Sequence, residues 1–160
     1  MRNIIIATLK TWNINNAIKI KKKYSNEFNI EIITNKKDLA KNKISDIKPE
    51  YIFFPHWSYI IPKEIYLNYK CVVFHMTDLP FGRGGSPLQN LIDRGIYQTK
   101  ISAIEVVEEL DAGDIYFKEP LSLYGTAEEI LIRASNIIFE KMIPKLLFNN
   151  ISPVKQNGNV

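Results

Sequence analysis

In the first half of the chain, short β-branched apolar runs are separated by stretches with helical spacing. Asn3–Leu9 (NIIIATL) is the first such run and predicts a buried strand. Lys10–Asn16 (KTWNINN) is polar and turn-like. From Ala17 to Phe28 apolar and basic residues alternate as on an amphipathic helix. Ile30–Thr34 reads as a second strand and Lys36–Asn42 as a short helix. Pro49 precedes a third strand, Tyr51–Phe54, which stops at Pro55 and His56. Pro62–Leu67 suits a helix with proline in its first turn. Cys71–His75 (CVVFH) is a fourth strand, and Pro87–Arg94 a helix closed by Gly95. Lys100–Glu109 and Ile115–Leu121 read as strands, and the turn Asp111-Ala112-Gly113-Asp114 makes them a hairpin. Thr126 caps a long helix, Ala127–Phe148, with Glu128 and Glu129 at its positive end.

Strands alternating with helices predict an α/β fold. We expect a Rossmann-like, doubly wound, mostly parallel sheet, with a C-terminal antiparallel hairpin and a long helix. A chain of 160 residues suffices for one domain with a real core, here 1–148, followed by a polar tail, 149–160. Hydrophobic content of 46% and charged content of 24% are those of a soluble globular protein. The net charge of +4 is mild, and its densest run, Lys19–Lys23, suits a solvated helix face or else a nucleic-acid or phosphate patch. Cys71 stands alone in an apolar run, which predicts a small buried residue and no disulfide framework. No apolar run is long enough for a membrane span and no signal peptide opens the chain, so a reducing cytoplasm is expected.

Parallel strands deliver their C-terminal ends to one edge, where open α/β sheets bind ligands. His56 and His75 end the third and fourth strands, and Lys10, Trp12 and Asn13 follow the first. They are expected to converge near one crevice. A histidine at a strand end is weak evidence alone, but Asp111 lies in a glycine-containing turn between two strands. A carboxylate beside an imidazole favours its charged form and fixes its tautomer, and such a pair moves protons near neutral pH. There is no P-loop, and RGGSP is no dinucleotide fingerprint. Ser86 lacks the glycine of a hydrolase elbow, since Leu88 stands there, and no cluster has metal-ligand spacing.

His75–Gly84 (HMTDLPFGRG) resembles the signature of the folate-dependent formyltransferases: a histidine, a leucine-proline step, then Arg-Gly, and further along an Asp-x-Gly turn. His75, Thr77, Leu79, Pro80, Arg83 and Gly84 fall on the pattern without a gap, and Leu110–Asp114 (LDAGD) on the turn. Tyr59-Ile60-Ile61-Pro62 resembles the segment that holds the pterin, and PVKQNG near the end also fits. The resemblance implies N10-formyltetrahydrofolate as formyl donor and an amine as acceptor. It implies that His75 stabilises the tetrahedral oxyanion and assists proton transfer, and that Asp111 orients and charges it. Main-chain groups around Tyr59, Ile60 and Ile61 and around Glu108, Glu109, Leu110 and Asp111 would clasp the pterin.

One departure stands out. The family carries an asparagine two residues before its histidine, and here that residue is Val73, which cannot donate a hydrogen bond. His56 is a candidate to compensate, or else a substrate contact or a rim residue. Asp78 replaces a usually apolar residue and serves either substrate or its own loop.

Among the family's branches, KTWNINN is not the phosphate loop of the glycinamide enzyme, and a tRNA enzyme's further C-terminal domain has no room. A nucleotide-linked amino sugar is therefore the expected acceptor, with no nucleic acid partner. Lys10 would meet the diphosphate and Trp12 stack on base or sugar, with Asn13, His56, Thr77, Arg83 and Gly84 as further substrate contacts. Alternatives are a non-sugar amine, or a catalytically impaired folate- or nucleotide-binding module, which Val73 motivates. The stop after PVKQNG reads as a truncation or a minimal form, and a homodimer is possible.

Overall fold

Residues 1–84 and 87–157 are described by a computed structural model, so Gly85 and Ser86 lie outside the described residues. The chain divides into two compact units, Met1–Val73 and Phe74–Val160.

In the first unit the strands are β1 (Arg2–Ala7), β2 (Phe28–Ile33), β3 (Tyr51–Phe54) and the start of β4 (Cys71–His75). β1 pairs in parallel with β2 on one side and β3 on the other, and β3 pairs in parallel with β4 through Ile52–Cys71, Phe53–Val72 and Phe54–Val73. Ile4, Ile5, Ile6, Ile52, Phe53 and Val72 are wholly buried, which is why these strands read as unbroken apolar runs. Each such side chain contributes about 1.5–3 kcal/mol by leaving water.

The helices between them are α1 (Thr11–Lys23), α2 (Lys41–Ile47) and α3 (Lys63–Tyr66). Two expectations are corrected here. KTWNINN is not a turn: α1 starts at Thr11, and Asn13 and Asn16 are buried on it beside Ala17 and Ile20. Asn13 donates a side-chain N–H to the carbonyl of Leu9, just before the helix, at 2.9 Å. Lys36–Asp38 is only a 3₁₀ turn, and the helix follows it at Lys41–Ile47, closed by Lys48 in the left-handed region at φ 52°.

The second unit holds α4 (Pro87–Asp93) and the antiparallel pair β5 (Gln98–Glu105) and β6 (Ile115–Ser122). β5 ends at Glu105, short of the expected Glu109: the register shifts between Ala103 and Ile104, and the last pairing beyond that shift is Ile104 with Ile115. Then come α5 (Ala127–Ile137), a π turn (Ile138–Met142) and α6 (Ile143–Phe148). Pro144 has no N–H, and its ring crowds the carbonyl four residues back, so the wider turn before it lets the helical path continue. A capping box opens α5: Glu129 N–H donates to Thr126 Oγ1 at 3.1 Å, and Thr126 N–H to Glu129 Oε1 at 3.0 Å. The fold is α/β, mostly parallel with antiparallel strands toward its C-terminal end, as the hydrophobic pattern predicted. Among the described residues no helix is long and apolar enough to cross a membrane.

Candidate active site

His75 ends β4 and Asp111 lies in the turn between β5 and β6, and the second unit brings the two together. The Nδ1 atom of His75 lies 3.5 Å from Asp111 Oδ2, with side chains 8% and 11% exposed. A nearly buried carboxylate needs partners. The same Oδ2 accepts the backbone N–H of Gly84 at 2.9 Å. The other imidazole nitrogen is also engaged. Nε2 lies 2.7 Å from the carbonyl oxygen of Gly82, which can only accept, so Nε2 carries the proton. The loop after β4 thus touches both members of the pair, through a carbonyl at Gly82 and an N–H at Gly84.

That loop has its own supports. Gly82 has φ +74°, and a Cβ there would lie 2.6 Å from Thr77 Cγ2, so only glycine fits. Thr77 is buried and accepts Ser102 Oγ–H on its carbonyl at 2.8 Å. Asp78 pairs with Lys118 Nζ, which also donates to the carbonyl of Leu79 at 2.8 Å, so this residue serves the loop. Arg83 donates Nε–H and Nη2–H to Gln156 Oε1 at 3.1 and 2.9 Å, and lies 3.9 Å from Glu109.

Asp111 has φ 56°, a left-handed conformation that aspartate tolerates better than most residues. Its carbonyl and that of Gly113 both accept from Gln156 Nε2, each at 2.8 Å. Gln156 is placed by an antiparallel bridge two residues earlier, Val154 with Ile115. Sequence reasoning quoted PVKQNG but gave Gln156 no role: a lone glutamine in a polar tail carries no periodicity. Glu108, Glu109 and Leu110 are exposed on the turn, Leu110 at 66%.

The remaining candidates lie in the first unit. Lys10 is the N-terminal flank of α1 at φ 73°, with no side-chain cap and no acidic residue in the helix's first turn. His56 is exposed at φ 63°, and its backbone carbonyl accepts the N–H of Leu9 at 3.2 Å. Surrounding protein atoms disfavour its charged form even so, and Lys10's ammonium repels it, so His56 titrates below the usual histidine value. Trp12 is half-buried on α1.

Tyr59, Ile60 and Ile61 belong to no helix or strand, and Ile60 is 91% exposed. Beside them the buried indole N–H of Trp57 has no partner among the described residues, and its ring meets Tyr59 edge-on at 5.3 Å.

A strand-end imidazole held against a carboxylate, with a glycine loop touching both, is an arrangement that can hold and move a proton. The model of the Formyl transferase family matches residues 6–133. The chain belongs to the formyl transferase family. A solved structure, methionyl-tRNA formyltransferase from Clostridium thermocellum, is 64% identical with TM-score 0.98, covering 99% of this chain and 70% of that one. Methionyl-tRNA formyltransferase of Rickettsia typhi is 34% identical over 131 residues, 79% of this chain and 43% of the relative. The chain therefore spans less than half the length of that curated relative. The formyltransferase PseJ from Anoxybacillus kamchatkensis, solved with a UDP-linked formamido sugar and tetrahydrofolate, shares the fold at 16% identity and TM-score 0.72, covering 98% of this chain and 82% of that one.

Proposed function

We propose that this chain carries the formyl-transfer site of an enzyme that moves a formyl group from N10-formyltetrahydrofolate to a primary amine. The observation that carries this is the nearly buried His75–Asp111 pair held by the Gly82–Gly84 loop in a chain of this family. The folate supplies the formyl carbon. Backbone groups of Tyr59–Ile61 would hold its pterin. His75 presents an N–H through Nε2, and that donor leaves the Gly82 carbonyl for the formyl oxygen as negative charge builds there. A donor so placed is worth roughly 3–4 kcal/mol. Asp111 lies against Nδ1 and balances the positive charge of a protonated His75; the attacking amine releases its proton to solvent water, and N10 of the folate takes one up as its bond to the formyl carbon breaks. Val73 supplies no second donor, so His75 carries more of the work than an asparagine-histidine pair would leave to it.

The named relatives support the methionyl group of tRNA as acceptor. This weighs against the nucleotide-linked amino sugar expected from KTWNINN and against the absence of a nucleic acid partner. The amino sugar stands as the second reading because Lys10 flanks the uncapped N-terminus of α1, where a phosphate would be favoured. The test is formyl transfer from N10-formyltetrahydrofolate to methionyl-tRNA and, in parallel, to dTDP-, UDP- and GDP-linked amino sugars. Formylated methionyl-tRNA alone supports the first reading and a formamido sugar the second. Folate binding with no product from any acceptor would overturn both and leave a binding module.

A further inference from the structure

We infer that Gln156 is the positioning residue of this site: its side-chain amide clamps the Asp111 turn to the Arg83 loop and so sets the carboxylate against His75. The inference rests on the formyl-transfer reading of the same site and adds the residue that shapes it.

The amide of a glutamine offers two N–H donors and an oxygen with two acceptor positions. Gln156 uses all four. Its Nε2 donates to the carbonyls of Asp111 and Gly113, both at 2.8 Å, and its Oε1 accepts two N–H groups of Arg83 at 3.1 and 2.9 Å. The orientation is fixed chemically, since carbonyls only accept and a guanidinium only donates. A flipped amide would face like with like on both sides.

Both clamped segments touch the imidazole. Arg83 lies between Gly82, whose carbonyl meets His75 Nε2, and Gly84, whose N–H meets Asp111 Oδ2. Asp111 itself sits at φ 56°, a conformation that persists only where its surroundings hold it. Gln156 holds it at the main chain, Gly84 at the side chain. With the amide gone, two carbonyls and a guanidinium lose partners at once, and the turn is free to relax from its left-handed form. The 3.5 Å approach of Asp111 to His75 then goes with it.

Two substitutions separate this role from a merely structural one. Gln156→Met keeps length and removes every hydrogen bond. Gln156→Glu keeps an acceptor for Arg83 but cannot donate to the two carbonyls. Formyl-transfer kinetics should show kcat falling about 100-fold in both, the scale set by roughly 1 Å of misplacement. KM for the formyl donor should stay within about threefold, since uniform binding is untouched.

A second readout needs no acceptor. The chain has two histidines, so on a His56→Gln background the ring N–H of His75 can be followed alone by NMR. Its exchange with solvent should quicken about tenfold in both Gln156 variants, the equivalent of losing roughly one net hydrogen bond. Wild-type kcat and an unchanged ring in Gln156→Met would overturn the inference, and so would a Gln156→Glu protein that matches wild type. If the wild-type chain formylates no acceptor, the proposed function fails, and the NMR comparison still decides the clamp.

Discussion

Gly113→Ala puts a methyl group where the backbone of β5 already is. A Cβ on Gly113 would lie 1.8 Å from the carbonyl oxygen of Glu105 and 2.7 Å from its carbonyl carbon. Ordinary contact begins at 3.4 Å, so the turn must move by about 3.4 − 1.8 = 1.6 Å. The obstacle is main chain, which cannot rotate away as a side chain would. Moving it stretches the bond from Glu105 N–H to the carbonyl of Asp114, now 2.9 Å, and the bond from Gln156 to the carbonyl of Gly113. Overpacking of this kind costs about 1–3 kcal/mol, and one hydrogen bond about 1 kcal/mol more. Urea unfolding of Gly113→Ala should therefore show a loss of roughly 2–4 kcal/mol with an unchanged slope. Because Asp111 shares the turn, formyl transfer by the folded fraction should drop as well, by about 10- to 100-fold. A variant within about 0.5 kcal/mol of wild type, or one fully active once folded, would refute the claim that this glycine spaces the turn.

Further outcomes follow from the same geometry. His75→Ala should lower kcat by roughly 100- to 1,000-fold with KM for the formyl donor little changed, measured by product formation at saturating donor. The Cys71 thiol, buried on β4, is pushed up to about 12, so alkylating reagents at pH 8 should label the protein only in denaturant; rapid labelling of the native chain would contradict its burial. His56 should titrate by NMR below 6.5, its ordinary value, and Lys10→Gln should raise the midpoint part of the way, partial desolvation by neighbouring protein atoms being the larger cause. The sign for stability follows: the unfolded chain binds this proton more readily, so His56 costs nothing well above 6.5 and destabilises progressively as pH falls through and below it.

The inner strands were the most legible elements, because most of their residues are buried. β3 and β4 match their predicted limits, Tyr51–Phe54 and Cys71–His75, because continuous apolar runs are cut off sharply by prolines and turns. α1 was misread at its start because its first turn has no cap: Lys10 has φ 73°, no side chain satisfies the N-terminus, and two buried asparagines stand on its inner side. α2 was misplaced because the signals at its ends are equally poor, with Ala40 before it and a left-handed Lys48 after it in place of a glycine. The pairing of His75 with Asp111 was legible through motif spacing. The clamp was not, since Gln156 acts across 45 residues through a side-chain amide, and no pattern in a single sequence encodes that pairing.

The bond between His75 and Gly82 bears on how such a site would distinguish a transition state from a bound substrate. Nε2–H already has a good acceptor at 2.7 Å. Exchanging one neutral carbonyl for another, as a bound formyl oxygen would offer, gains almost nothing, because a typical net hydrogen bond is worth about 1 kcal/mol on either side of the exchange. Exchanging it for an oxyanion gains more, since charge-assisted bonds are about twice as strong. The Gly82 carbonyl therefore discounts ground-state binding while leaving most of the stabilisation for the charged species, which is the condition for raising kcat rather than only lowering KM. A neutral formyl analogue of the folate should then bind with the protected ring N–H signal of His75 unchanged, whereas an analogue with an anionic oxygen at the formyl position should shift it. If both shift the signal equally, Gly82 plays no part in that discrimination.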